Sequence, residues 1–155
     1  MKLTVYTDGS CERKSRNGGY GIYIIKENKE ETHISKGYSN TTISRMEMRA
    51  VLNAIRYFPK NEKGELIIYS DSQFVVNSFN LGWLNSWRMQ SFAERQNSDI
   101  WKKIIFELEE RKEMKFTIHH TRGHLKDLTD DIVYGNSVAD ILASYKNFEV
   151  FEKDL

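Results

Sequence analysis

Four acidic residues in this sequence have the types and spacing that metal-dependent chemistry requires: Asp8, Glu47, Asp71 and Asp140. Each lies at the end, or in the first turns, of a segment that the sequence predicts to be buried. Four carboxylates brought together repel one another, and their pKa values rise unless a cation neutralises them. Mg²⁺ accepts a few carboxylates together with phosphate oxygens, and two such ions ~3.5–4 Å apart suit phosphodiester chemistry. The four acids therefore predict a divalent-metal site.

Taken singly, each acid also has an ordinary structural explanation. Asp8 precedes Gly9 and Ser10 and would cap a turn. Glu47 falls in the first turn of a predicted helix, where a negative charge contributes ~0.3–1 kcal/mol. These explanations are adequate for one acid at a time, but the recurrence of the pattern at four element ends favours a shared site.

The predicted strands bring two of these acids to one edge of a sheet. The run from Lys2 ends on Asp8, and the apolar run Leu66–Ser70 ends just before Asp71. Segments 20–25 and 32–38 complete an antiparallel meander with the first strand, and 115–120 is a fifth strand. Because ligands of open α/β sheets bind outside the carboxyl ends of strands, both acids are predicted at a binding edge.

Helices are predicted between and after these strands. The first covers about 44–58 and ends at Pro59, the only proline. Others cover 73–79 and 98–112, and the last begins at Asn136 or Ser137 after a polar loop, 121–135, and ends at Tyr145. Trp83 and Trp87, four residues apart, share a helical face that either packs on the core or forms a stacking surface for nucleic acid.

The length indicates one domain, and the order of predicted strands and helices makes it an α/β domain of residues 1–146. A charged tail, 147–155, follows and is expected to be frayed. The 155 residues carry 23 Lys and Arg against 22 acids, a net charge of +1 that does not by itself indicate a polyanion partner. The single cysteine excludes an internal disulfide and suits a reducing compartment. No run approaches the ~20 apolar residues of a membrane span. A cytoplasmic monomer without a membrane or protein partner is the expectation.

Six short motifs, in order, carry a resemblance to type 1 ribonuclease H, which cuts the RNA strand of RNA–DNA hybrids. They are Thr7-Asp8-Gly9-Ser10-Cys11, Gly18-Gly19-Tyr20-Gly21, Thr41-Thr42 followed by Arg45-Met46-Glu47, Ser70-Asp71-Ser72-Gln73, Arg122-Gly123-His124, and Asn136 with Ala139-Asp140. The match covers about residues 2–145. It implies a ribonuclease-H-like α/β fold with a five-stranded mixed sheet, an antiparallel meander plus two parallel strands, flanked by helices.

The resemblance also implies roles for the site residues. Asp8, Glu47, Asp71 and Asp140 would bind two Mg²⁺, or Mn²⁺ as a substitute, and water would attack phosphorus to leave 5′-phosphate and 3′-hydroxyl ends. His124 would assist proton transfer or product departure, as an imidazole titrating near neutrality can. A zinc site of His119, His120 and His124 is a weaker alternative, because no cysteine accompanies them.

Substrate contacts follow from the same resemblance. Segment 83–96 resembles the basic handle of cellular members, although between Phe92 and Asn97 its only cation is Arg95. Thr42 and Asn97 would line a pocket for a phosphate of the DNA strand. The remaining predicted contacts are those of Phe74 and Trp83 with deoxyribose sugars and of Lys14 with a phosphate.

Besides this weakly basic handle, the sequence departs from the family pattern in two further respects. Lys14 and Ile43 stand where the family commonly has asparagines that read the RNA minor groove. The twelve residues from His124 to Asn136 exceed the family's spacing, so the histidine loop is lengthened. Two alternatives remain open: a non-catalytic module that binds RNA–DNA hybrids, and a DNA-directed nuclease of the same fold.

Overall fold

A six-stranded mixed sheet forms the centre of the molecule. The computed structural model describes residues 1–90, 96–121 and 129–155. The strand order in the sheet is β5-β4-β1-β2-β3-β6. The strands are β1 (Lys2–Cys11), β2 (Gly18–Lys26), β3 (Glu31–Ser39), β4 (Gly64–Ser70), β5 (Met114–His120) and β6 (Glu152–Lys153).

The predicted five-stranded arrangement is confirmed, with one short strand added. β1, β2 and β3 pair antiparallel as a meander, and β4 and β5 continue the sheet parallel to β1. The added strand is β6, which pairs parallel with β3 at Tyr38 and Ser39. β1 does not end at Asp8, because its pairing with β2 continues to Cys11. Its pairing with β4 ends at Thr7, so Asp8 lies where the two parallel strands separate.

Helices cover both faces of this sheet. They are α1 (Ile43–Tyr57), α2 (Gln73–Asn80), α3 (Trp83–Met89), α4 (Ser98–Glu109) and α5 (Asp130–Ala143). Alternate residues of β1 enter two cores: Leu3 and Val5 join the larger one, whereas Tyr6 packs with Tyr23 and Ala139 in the smaller. None of the helices in the described part of the chain combines the length and apolar character that a membrane span requires.

The last helix begins earlier than the sequence predicts. α5 starts at Asp130, and its N-cap is Thr129, whose hydroxyl oxygen accepts a hydrogen bond from the N–H of Ile132 at 3.3 Å. Asp130 and Asp131 occupy the first turn, where the helix dipole favours negative charge. The predicted start at Asn136 or Ser137 is therefore wrong, since a threonine cap with two following acids is a sufficient start signal.

The C-terminal tail is ordered by contacts with the domain, so the expectation of a frayed tail is wrong. β6 extends the sheet, and the side chain of Asp154, which follows it, is fully buried. Its carboxylate forms ion pairs with Arg45 at 2.8 Å and Arg49 at 2.6 Å. Two arginines on one side of α1 thus receive a partner from the far end of the chain, which no local sequence pattern indicates.

Candidate active site

Three of the four predicted acids meet at the carboxyl ends of β1 and β4. Asp8 comes from β1, Glu47 from α1, and Asp71 directly follows β4. One carboxylate oxygen from each lies within 4.8 Å of the others. Asp8 and Glu47 are buried, and Asp71 is half-buried. The structure therefore brings together three acids that are separated by up to 63 residues in the sequence.

Gly9 allows Glu47 to approach Asp8. A Cβ atom at Gly9 would lie 2.5 Å from the backbone N of Glu47 and 2.8 Å from the carbonyl carbon of Met46. Because real Cβ contacts are never this short, only glycine lets the backbone of α1 pack directly on β1 here. The N–H of Gly9 also donates to Asp8 Oδ1 at 2.9 Å, which fixes that carboxylate.

Asp71 is positioned by the end of β4 and the start of α2. Ser70 is the register partner of Thr7, so the next residues of the two strands, Asp71 and Asp8, lie side by side. Ser72 is the N-cap of α2, and its hydroxyl oxygen accepts from the N–H of Val75 at 3.4 Å. On the other side, His120 Nε2 lies 3.1 Å from the carbonyl oxygen of Asp71.

The fourth acid, Asp140, reaches the same cleft from α5. A Cβ atom at Gly21, the cross-strand partner of Asp8, would lie 2.6 Å from the carbonyl oxygen of Ala139, so glycine permits α5 to pack closely. Asp140 is exposed and forms a side-chain hydrogen bond with Asp8. It lies at the rim of the site, whereas Glu47 lies at its base.

These acids line a cleft of about 400 Å³. Its lining residues are Asp8, Gly9, Ile43, Ser44, Glu47, Asp71, Ser72 and Asp140. Ile43 is 56 % exposed there. An isoleucine side chain has no hydrogen-bonding group, so it presents an apolar surface beside the carboxylates.

Burial and mutual repulsion alter the ionisation of the two innermost acids. Burial, the charge of Asp71 and a hydrogen bond with Asp140 raise the pKa of Asp8 to about 8, although hydrogen bonds from Gly9 and Glu47 act in the opposite direction. Burial and the charges of Asp8 and Asp71 raise the pKa of Glu47 well above its usual range. Both effects penalise the charged forms, so the site favours either protons or a bound cation.

The donor set fits a hard divalent cation. Glu47 Oε2 is buried and, among the described residues, has no hydrogen-bond partner. An unpaired buried carboxylate oxygen is costly, and a cation would compensate that cost. All ligands in the cluster are carboxylate oxygens, which suit Mg²⁺ or Mn²⁺ better than zinc.

The two residues predicted to line a phosphate pocket are linked by a common neighbour. Thr42 is the N-cap of α1, and its hydroxyl oxygen accepts from the backbone N–H of Arg45 at 3.2 Å. The same arginine donates from Nη1 to Asn97 Oδ1 at 3.2 Å. Arg45 therefore contacts both Thr42 and Asn97, although they are 55 residues apart in the sequence.

The predicted aromatic contacts divide into exposed and buried members. Phe74 and Trp83 are 47 % and 38 % exposed, and their ring centroids lie 6.3 Å apart. Trp87 is buried and packs on Trp101 with centroids 5.6 Å apart. The core explanation therefore holds for Trp87, while Phe74 and Trp83 present aromatic surface to solvent.

Lys14 lies in an exposed basic loop next to the start of α1. The backbone N–H of Thr41 donates to the carbonyl of Arg16 at 3.0 Å, and Arg16 Nε donates to the carbonyl of Thr41 at 3.3 Å. These two bonds place the loop beside Thr42, and the side chain of Lys14 is exposed.

Several predicted features lie outside the described residues, namely His124 and the handle residues Phe92 and Arg95. His119 and His120, the other members of the zinc alternative, are described. The ring of His119 packs on Tyr69 at 5.4 Å, whereas the ring of His120 contacts the Asp71 carbonyl. The rings of His119 and His120 thus contact different parts of the molecule.

Sequence reasoning missed the contribution of Asp154. The sequence contained one indication that Arg45 needs an acidic partner. Arg45 stands in the first turn of a predicted helix, where the helix dipole disfavours a positive charge. A buried arginine in that position requires carboxylate partners. Their identity, Asp99 and Asp154, could not be read from the sequence because both are distant along the chain.

A mixed sheet whose central strands end at a cluster of carboxylates defines a nuclease of the ribonuclease-H-like fold. Comparison with known proteins agrees, since the family model for RNase H matches residues 1–147. A curated ribonuclease H from Chlorobium luteolum is 36 % identical over 129 residues, which cover 79 % of this chain and 84 % of that protein.

Solved structures give the same result. The solution structure of the PFV RNase H domain is 27 % identical with a TM-score of 0.70, and the match covers 91 % of each chain. A foamy viral protease-reverse transcriptase, in complex with RNA/DNA hybrid, has a TM-score of 0.74 at 24 % identity. That match covers 96 % of this chain and 20 % of the viral chain, and it supports the fold alone.

The chain belongs to the ribonuclease H family, as its type 1 motifs predict. It is an enzyme, a phosphodiester hydrolase that acts on the RNA strand of RNA–DNA hybrids. The fold and family predictions made from the sequence are confirmed.

Proposed function

We propose that the enzyme hydrolyses its substrate with two Mg²⁺ ions bound by Asp8, Glu47, Asp71 and Asp140, and leaves 5′-phosphate and 3′-hydroxyl ends. The observation that carries this proposal is the convergence of three carboxylates within 4.8 Å, with Asp140 at the rim of the same cleft. Such a cluster remains fully ionised at neutral pH only when a cation balances its charge. Mn²⁺ would substitute, since it accepts the same oxygen ligands.

Each acid contributes according to its burial. When bound, the ions supply an activated water and neutralise the leaving oxygen. Glu47, at the base of the cleft, offers the buried Oε2 and anchors the site. Asp8 lies beside the other three acids, and burial together with the charge of Asp71 raises its pKa. A bound cation would favour its ionised form, so binding would release a proton from Asp8. Asp140, exposed at the rim, is the acid that meets the incoming substrate first.

His124 would act on protons or on the departing product. It follows Arg122 and Gly123 in the motif that carries the resemblance. An unperturbed imidazole titrates near pH 6.5 and exchanges protons with solvent at neutral pH. This role rests on the sequence alone.

Substrate selection would use both strands of the hybrid. Thr42 and Asn97, joined through Arg45, would bind a phosphate of the DNA strand. Phe74 and Trp83 would pack on deoxyribose sugars, which lack the 2′-hydroxyl, and Lys14 would contact a further phosphate. The match to the RNase H family model over residues 1–147 supports the same class of substrate. Proteins distinguish RNA from DNA by the 2′-hydroxyl and by the shape and pliability of the duplex.

A cleavage assay tests the proposal directly. With Mg²⁺, the enzyme should cut a labelled RNA strand paired with DNA, and leave RNA–RNA and DNA–DNA duplexes intact. Asp71→Asn should lower the rate by at least about 100-fold, because an amide cannot replace a carboxylate ligand for the metal. Treatment of the fragments with a phosphatase should remove phosphate from the 5′ ends only.

The matched control is Glu62→Gln. Glu62 is an exposed acid that precedes β4, at the opposite end of that strand from Asp71. This substitution removes the same charge as Asp71→Asn without touching the cleft, so the activity of the Glu62→Gln variant should equal that of the wild type. Near-full activity of Asp71→Asn would overturn the metal assignment. Tight binding of the hybrid without cleavage in either Mg²⁺ or Mn²⁺ would instead favour a non-catalytic binding module.

A further inference from the structure

The carboxylate of Asp154 is bound by two arginines of α1 and by a threonine that precedes this helix. It accepts hydrogen bonds from Arg45 Nε at 2.8 Å, from Arg45 Nη2 at 3.0 Å and from Arg49 Nη2 at 2.6 Å. The hydroxyl of Thr41 donates a fourth, at 2.6 Å. The side chain of Asp154 has no exposure to solvent. Four hydrogen bonds to one buried carboxylate are more than the attachment of a two-residue strand such as β6 requires.

The network uses every donor of Arg45. Nη1 donates to Asn97 Oδ1 at 3.2 Å and to Asp99 Oδ1 at 3.0 Å, and Nη2 donates to Asp99 Oδ2 at 2.8 Å. Together with the two bonds to Asp154, these contacts account for all five N–H groups of the guanidinium. Because the group is planar and all its donors are directed, its orientation is fixed. Any acceptor it contacts is fixed with it.

The orientation of the Asn97 amide follows from this arrangement. A guanidinium only donates, so the amide must turn its oxygen towards Arg45 and its NH₂ group away. Asn97 occupies the N-cap of α4 in the left-handed conformation, at φ 62°, and its side chain makes no capping bond. The amide oxygen, which would accept a capping hydrogen bond from a backbone N–H, instead accepts from Arg45, and the NH₂ group faces away from it. Thr42 Oγ1 accepts from Arg45 N–H, which leaves its hydroxyl hydrogen as a donor.

We propose that Asp154 is a positioning residue for substrate binding: by fixing Arg45, it orients Asn97 so that the amide NH₂ donates to a phosphate of the DNA strand, beside the Thr42 hydroxyl. This inference rests on the proposed function, because it deepens the role of the Thr42–Asn97 pocket. Asp154, which follows β6, would then contribute to substrate affinity as well as to the stability of the sheet.

The test compares Asp154→Asn with Glu152→Gln. Both remove one negative charge from the same C-terminal segment, but Glu152 is exposed and pairs with Lys36 instead of Arg45. Hybrid affinity is measured without metal, and KM and kcat are measured with Mg²⁺. Asp154→Asn should raise Kd and KM about tenfold, as expected for loss of one charge-assisted hydrogen bond, with kcat within about twofold of the wild type. Glu152→Gln should change neither constant.

A double-mutant cycle separates positioning from a structural role. In an Asn97→Ala background, Asp154→Asn should weaken hybrid binding no further, because the group through which it acts is gone. Equal losses in the two backgrounds would overturn the inference, as would constants for Asp154→Asn that match those of Glu152→Gln. If Asp154→Asn does not fold, Asp99→Asn takes its place in the same cycle, since Asp99 orients Arg45 from the exposed side.

Failure of the proposed function and failure of the positioning role of Asp154 give different experimental results. If the wild type does not cleave the hybrid, the proposed function is wrong. If the wild type cleaves it and the cycle shows no coupling between positions 154 and 97, only the positioning role is wrong.

Discussion

At the scale of single residues, the buried acids of the cleft must bind either protons or a cation. Asp8 is buried beside other carboxylates, and burial with the charge of Asp71 raises its pKa to about 8. In the unfolded chain the same group titrates near 3.9. Between these two values the folded protein retains a proton that the unfolded chain has lost. The stability of the metal-free protein must therefore depend on pH.

The direction in which pH changes the stability of the metal-free protein can be tested. Because the folded state binds more protons than the unfolded state in this range, the metal-free free energy of unfolding should fall as pH rises from about 4 to about 8. Mg²⁺ binds the ionised carboxylates, so it should raise the Tm more at pH 8 than at pH 5. Thermal unfolding in EDTA and in excess Mg²⁺ at both pH values measures these effects.

Asp8→Asn supplies the comparison. An amide does not titrate and lacks the negative charge that a cation needs, so this variant should show a flatter pH profile and a smaller Mg²⁺ shift. Identical Mg²⁺ shifts in the variant and the wild type would remove Asp8 from the set of ligands.

At the scale of secondary-structure elements, the site depends on close packing between backbones. Gly9 is the residue of β1 that faces α1, and an added methyl group there would overlap the backbone of Glu47. Gly9→Ala should displace α1 and lower stability by about 1–3 kcal/mol, the usual range for overpacking. It should also weaken the Mg²⁺ shift in Tm, because Glu47 moves away from Asp8.

Gly82→Ala is the matched control for this substitution. A Cβ atom there meets nothing within 4 Å, but the residue has φ 76°, so alanine costs about 1 kcal/mol through backbone strain alone. Its Mg²⁺ shift should equal that of the wild type. If Gly9→Ala retains a full Mg²⁺ shift, close approach of the two backbones is not what positions Glu47.

Both central strands could be predicted from the sequence, whereas the start of the last helix could not. The apolar run before Asp71 and the β-forming run before Asp8 predicted both central strands, because their residue types suit burial on two faces. The order of the motifs then predicted the fold and the acidic cluster. The early start of α5 was missed because Asn136 and Ser137 are also good caps, and the choice of Thr129 depends on context.

The C-terminal segment could not be predicted for a different reason. Glu152 and Lys153 form a strand only because β3 offers an unpaired edge, and Asp154 is buried only because Arg45 and Arg49 need its charge. Both conditions are properties of the folded domain. A charged segment judged by its own composition resembles a solvated tail.

At the scale of the whole molecule, the location of the basic side chains matters more for nucleic-acid binding than their number. The net charge is only +1, so general attraction to a polyanion is weak. The exposed loop with Arg13, Lys14 and Arg16 is nevertheless attached to Thr41, beside the predicted phosphate pocket. A local cluster of this kind supplies phosphate contacts without a large overall charge.

The salt dependence of binding measures how many of these cations contact phosphates. Each phosphate neutralised on a duplex contributes about 0.9 to the slope of log affinity against log salt. If Lys14 contacts one phosphate, Lys14→Ala should lower the slope by about that amount and weaken binding of every hybrid sequence equally. Fluorescence anisotropy without metal, between about 50 and 200 mM salt, gives the slope.

Lys60→Ala provides the reference for loss of one exposed positive charge. Lys60 follows Pro59 at the amino end of β4, whereas the carboxylate cleft lies at the carboxyl end of that strand. Because screening at these salt concentrations limits charge effects to about 10 Å, its removal should leave the slope unchanged. Equal slopes for Lys14→Ala and the wild type would place Lys14 away from the substrate. The hybrid would then contact the enzyme through the pocket of Thr42 and Asn97 without the basic loop.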